Sequence, residues 1–130
     1  MDGQMISSYL KQAQLSANPA LISTELEKLE LHLANTALPE VCWEYQIPEL
    51  GEGGACSLFG YLQDEPFKLT DYLENDEQTQ FKLANLQSIV SYIEHQTSVD
   101  WYGIYQSTNT SEGKQLLKLA YHGAPSRPLF

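Results

Sequence analysis

The sequence predicts an α+β fold, helices followed by strands of which the last two pair antiparallel. Two stretches, residues 18–35 and 76–95, repeat apolar side chains at helical spacing. Three others, 40–47, 100–106 and 115–121, alternate apolar and polar residues as half-buried strands do. Between them lie segments rich in Gly, Asn, Ser and Thr, the residues of turns.

Taken in order, residues 5–15 show weak helical spacing through Met5, Ile6, Tyr9, Leu10 and Ala13. A clearer helix begins after Asn18, a residue type suited to the N-cap, with Pro19 at the first helical position, where its missing N–H costs nothing. Ile22, Leu26, Leu29 and Leu33 form its apolar stripe, and Glu27, Lys28 and Glu30 lie opposite. That stripe suits packing on the same domain or the face of a homodimer. Val41, Trp43, Tyr45 and Ile47 then alternate with polar residues up to Pro48, which is expected to stop the strand. A Gly-rich connection leads to a second strand over 55–62, and "QDEPFKLTDYLEND" reads as a polar connector with one helical turn.

The helix over 76–95 has Asn75 as a candidate cap, with Gln78 three residues on completing a loose capping box. Leu83, Leu86, Ile89, Val90 and Ile93 make its apolar face. The period then changes to two. Strands 100–106 and 115–121 are expected to pair antiparallel through the turn-rich "STNTSEGK". Alternation places Leu117, Leu119 and Tyr121 on one face, with Leu116, Lys118 and Ala120 on the other.

Composition narrows the function. A net charge of −10, from 17 acidic and 7 basic side chains, repels a phosphate backbone, so nucleic acid is not an expected partner. No apolar run is long enough to span a bilayer, and the N-terminus lacks the pattern of a secretory signal. The expected compartment is the cytoplasm. There Cys42 and Cys56 are expected to be inert thiols rather than a disulfide. His32, His95, His122 and the cysteines have no metal-ligand spacing, so neither metal nor cofactor is expected. "GEGG" lacks the Lys-Ser/Thr end of a phosphate loop, and no nucleophile elbow is present.

The stretch "SVDWYGIYQ" sets Trp101 and Tyr105 on one side of a strand with Gly103 between them. Either both rings are core, or the glycine leaves space between two aromatic walls for a ligand. The order helix, "DWYGIYQ", polar hairpin, "KLAYHGAPS" resembles the opening of a GAF domain over about residues 80–130. Within that group Asp100, Trp101, Gly103 and Tyr105, with His122, Gly123 and Pro125, resemble the strand motifs of the free methionine-R-sulfoxide reductases.

The resemblance implies an antiparallel sheet with a small-molecule pocket on the face away from the helices, walled by Trp101, Gly103 and Tyr105. It divides the chain into an N-terminal helical and hairpin extension, 1–75, and the first part of a GAF-like domain, 76–130. Where that family has its first cysteine the chain has Arg127, so no catalytic residue is assigned. Reducing a sulfoxide needs one thiolate to attack and a second thiol to resolve. The expected function is therefore a GAF-like ligand-binding, sensory or interaction module that does no catalysis by itself. The alternative is a reductase-like enzyme whose cysteines lie beyond Phe130, in keeping with a sheet that would need further strands to close.

Overall fold

The computed structural model describes residues 3–50 and 57–130. "GEGG" and Cys56 lie outside them. The chain divides into two compact units, Met1–Ala37 and Leu38–Phe130.

The first unit is a pair of helices, α1 (Gly3–Gln12) and α2 (Pro19–Asn35). Asn18 caps α2 as its residue type suggests, its side chain accepting from Ala20 N at 3.0 Å. At the end of α1, Leu15 N bonds to Leu10 O and Gln14 N to Lys11 O, the paired bonds of a Schellman ending. That ending puts Gln14 at φ 59°, a left-handed position usually given to glycine. No residue of α2 is buried: its apolar stripe is half-covered, while Leu21 and Leu31 on its flanks are exposed.

The second unit begins with short strands: β1 (Glu44–Tyr45), β2 (Pro48–Leu50), β3 (Ser57–Leu62) and β4 (Phe67–Lys68). The strand expected over 40–47 is thus reduced to two residues. Pro48 opens β2 rather than ending a strand, because the first position of a short edge strand tolerates a missing N–H. The extended segment changes partner there: β1 pairs with β4, and β2 pairs with β3, both antiparallel. The polar connector also contains β4, followed by a single 3-10 turn over Leu69–Asp71 that supplies the expected helical turn.

Helix α3 (Glu77–Gln96) is capped by Asp76, whose carboxylate accepts from Thr79 N at 2.7 Å. Asn75, the expected cap, instead accepts from Gln80 Nε2. The residue one position on carries the charged acceptor, which answers the N-terminal dipole better.

The longest sheet element is the antiparallel hairpin of β5 (Tyr102–Thr110) and β6 (Gly113–His122). Its turn is tighter than "STNTSEGK" suggests. Only Ser111 and Glu112 stand between the strands, and Thr108 and Thr110, β-branched, extend β5. Gly113, at φ 103°, takes the left-handed position after that turn. The terminal segment runs along the outer edge of β6, through Lys118 N to Pro128 O and a two-way exchange between Leu116 and Phe130.

One irregularity decides the faces of this hairpin. Ile104 pairs with Ala120 and Tyr105 with Lys118, so Leu119 is an extra residue, a β-bulge. The bulge reverses the alternation beyond it. Leu117, Leu119, Ala120 and His122 share the face toward α3, as the Lys82–Gln106 hydrogen bond and the 3.4 Å approach of His122 Nδ1 to Glu94 Oε2 locate it. Lys118 and Tyr121 fall on the opposite face, so the expected grouping of Tyr121 with Leu117 and Leu119 is corrected. The core is Leu69, Leu83, Leu117 and Leu119, with Val41, Trp43, Tyr45 and Phe67 packed against it.

Candidate functional site

The face of the hairpin away from α3 carries Trp101, Gly103 and Tyr105, because alternation puts them opposite the side of Gln106 that meets Lys82. Trp101 and Tyr105 are brought together, with ring centroids 6.4 Å apart and planes tilted by 40°. Phe130 adds a third ring, edge-on to Tyr105 at 5.7 Å.

The space over Gly103 is taken by Trp101 itself. A Cβ at Gly103 would come within 2.4 Å of the indole Cη2. Gly123 also leaves room for Trp101: at φ 106°, a Cβ there would lie 2.5 Å from Asp100 O and 2.9 Å from Trp101 Cδ1. The indole N–H donates to Ala124 O at 3.2 Å. Trp101 is thereby fixed flat against the strand, with 39% of its surface still exposed. Tyr105 is half-buried, and burial raises its hydroxyl pKa.

Beside this wall lies Lys118, which alternation groups with Leu116 and Ala120 on one face of β6. Lys118 is completely buried, at 0% exposure. Its ammonium donates to Ser126 O at 2.9 Å and Ser126 Oγ at 2.8 Å. It stands 4.0 Å from the centroid of the Tyr121 ring and 4.9 Å from that of Tyr45. No carboxylate pairs with it among the described residues. Desolvation pushes its pKa down to about 8. Burial also raises the hydroxyl pKa of Tyr45 and, less strongly, of Tyr121. The Tyr45 hydroxyl donates to Lys118 O at 2.8 Å, so β1, β6 and the terminal segment meet at one residue. The bulge created this site by turning Tyr121 to the side of Lys118. "QLLKLAYH" holds no glycine to announce a bulge, and only the double alternative of reading either parity could have found it.

The arrangement is an amine held by two carbonyl-and-hydroxyl bonds and two aromatic faces. It can position a cation and exclude water from it. It offers no acid–base pair or nucleophile open to solvent. Cys42 is exposed, with its thiol on Glu44 O at 2.9 Å, at the edge of a 400 Å³ depression that Tyr45 and Tyr121 also line. No group of three or more metal-ligating side chains occurs among the described residues. None of the helices described is long and apolar enough to cross a membrane.

No family model, curated protein or solved structure matches this chain.

Proposed function

We propose that residues 76–130, within the second compact unit, act as a GAF-like small-molecule-binding module whose own residues carry out no thiol chemistry. One observation supports this most. With α3 covering one face of the β5–β6 hairpin, the other keeps Trp101 and Tyr105 in ring contact, fixed by Gly103, Gly123 and Ala124, yet partly open. A rigid, half-exposed aromatic wall suits a flat or soft group stacked on its outer surface, since the indole fills the space between the rings. The test is a thermal-shift screen of the full chain with methionine sulfoxide among the compounds. A compound that raises the melting temperature should lose that effect in Trp101→Phe and weaken in Tyr105→Phe, each with the unliganded melting temperature little changed. Stabilisation untouched by both substitutions would place the ligand elsewhere.

The reductase alternative draws its cysteines from beyond Phe130, so thiol-dependent turnover by this chain itself would go against both readings. The module reading expects none, since Arg127 stands at the motif position of the cysteine. Activity that disappears in Cys42→Ser or Cys56→Ser would reverse that conclusion.

The helical unit supports a further part of the proposal, a homodimer through α1 and α2. A pair of helices this short cannot bury enough surface to be stable alone. Its exposed Met5, Tyr9, Leu21 and Leu31 fit a four-helix bundle with a second copy. Light scattering should give twice the chain mass, and Leu21→Lys with Leu31→Lys should return it to one. A monomeric wild-type chain at micromolar concentration would remove the dimer.

A further inference from the structure

A second site lies at the far end of the hairpin, where the turn between β5 and β6 faces the 3-10 turn and the terminal segment. A cavity of about 530 Å³ opens there, with Asp71, Tyr72, Asn109, Ser111, Gln115 and Arg127 among its lining. None of Trp101, Gly103 and Tyr105 lines it, so it stands apart from the aromatic wall. Its volume is that of a small-molecule site.

We propose that this cleft binds a neutral, polyhydroxylated ring of monosaccharide size. The walls are preformed. Leu69 and Leu117, both at 0% exposure, anchor the 3-10 turn and the strand beneath it, and the terminal segment is tied to β6 through Lys118 N and Leu116. Three of the polar side chains, Asp71, Asn109 and Ser111, are uncommitted. Among the described residues no side-chain hydrogen bond or ion pair engages Asp71, Asn109 or Ser111. Gln115 Oε1 accepts from Thr110 Oγ1 at 2.7 Å, which orients the amide and leaves its two N–H donors for a ligand.

Hydroxyls both donate and accept, and this set answers both needs: a carboxylate that accepts and amides that do either. Tyr72 supplies the flat surface. Its ring stacks on Phe67 at 5.4 Å with an interplanar angle of 17°, and 39% of the residue remains exposed. Charge selects against anions: Asp71 and Glu112 both line the cleft, against the single Arg127. A phosphorylated sugar should therefore bind less well than the free one.

The experiment is a titration of the ¹⁵N-labelled full chain with glucose, mannose and galactose, followed by amide shifts, with glucose 6-phosphate as the charged comparison. At least one neutral sugar should give saturable shifts clustered at residues 71–72, 108–112 and 115. Asp71→Asn and Asn109→Ala should each weaken that binding by about tenfold, the effect of one lost hydrogen bond to a charged or amide group. Trp101→Phe should leave it unchanged, which separates this site from the aromatic wall. The proposal is overturned if no neutral sugar saturates, if the shifts survive both substitutions, or if glucose 6-phosphate binds more tightly than glucose.

Discussion

Helices α2 and α3 carry apolar stripes of similar quality, yet they end in opposite circumstances. Every residue of α2 stays at least partly exposed, whereas α3 buries Leu83, Ala84, Ser88 and Val90. The difference lies in what faces them. α3 lies on a two-stranded sheet whose Leu117 and Leu119 interlock with Leu83, while α2 has α1 as its partner within its unit. An amphipathic stripe states which side of a helix seeks cover. It does not state how much cover the fold provides, and that quantity sets the energetic weight of each side chain.

Substituting equivalent leucines in the two helices tests this comparison with the largest effect. Leu83→Ala should cost about 2–5 kcal/mol, since it opens a cavity in a closed core. Leu29→Ala, in the half-covered stripe of α2, should cost roughly 1 kcal/mol, the ordinary value for a partly exposed site. Urea denaturation monitored by far-UV dichroism reads both. Equal costs would mean that α2 is covered in solution, which is what the proposed dimer would do.

Alkaline titration sharpens the comparison, because the groups that burial shifts upward or downward all belong to the second unit. Lys118 has a folded pKa of about 8, below its unfolded value of 10.5. Between those two values the unfolded chain binds more protons, so stability rises with pH across that window, by about 1–3 kcal/mol. Tyr45, Tyr105 and Tyr121 shift the other way, with folded pKa values raised. They are neutral in both states below about pH 10 and favour unfolding above it as the unfolded phenols ionise. The second unit should therefore be most stable near pH 9–10, judged from urea midpoints taken between pH 7 and 11. In Lys118→Met the rise above pH 8 should vanish. A rise that persists in the variant would assign it to another group.

The smallest effects concern three left-handed positions, one in the first unit and two in the second. Gln14, at φ 59°, pays the strain of a side chain where glycine would be free, so Gln14→Gly should stabilise α1 by roughly 0.5–1 kcal/mol. Gly123→Ala should do the reverse and cost about 1–3 kcal/mol, because its Cβ would strike the Asp100 carbonyl as well as adopt φ 106°. Gly113→Ala, at a similar φ with open space around it, isolates the backbone part of that cost. Melting temperatures of the three variants rank them.

Much of the architecture was legible in the residues. Asn18 and Pro19 marked the start of α2, and the change from helical to alternating period after His95 marked where α3 gives way to β5 and β6. The extent of the hairpin was harder to read, since Thr108, Asn109 and Thr110 suit a turn and a strand alike until their partners in β6 are known. The alternation that sets Trp101 and Tyr105 on one side is visible in the sequence, and their rings meet, but only the structure shows that the indole covers Gly103. Asp71 and Asn109 lie far apart in sequence, and nothing local indicates that both line one cleft.

By itself, the sequence determined the α+β class, both long helices and the pairing of the last two strands, because periodicity and caps act within a few residues. Only the tertiary structure decided which side of β6 each residue takes. Adding Leu119 opposite Ile104 reverses the phase of everything after it, so Tyr121 turns to meet Lys118 and Ala120 turns toward α3. A one-residue bulge leaves no mark in composition or period, yet in a strand of period two it exchanges the faces. With Tyr121 turned to its side, Lys118 ends fully buried, between two tyrosines and Ser126.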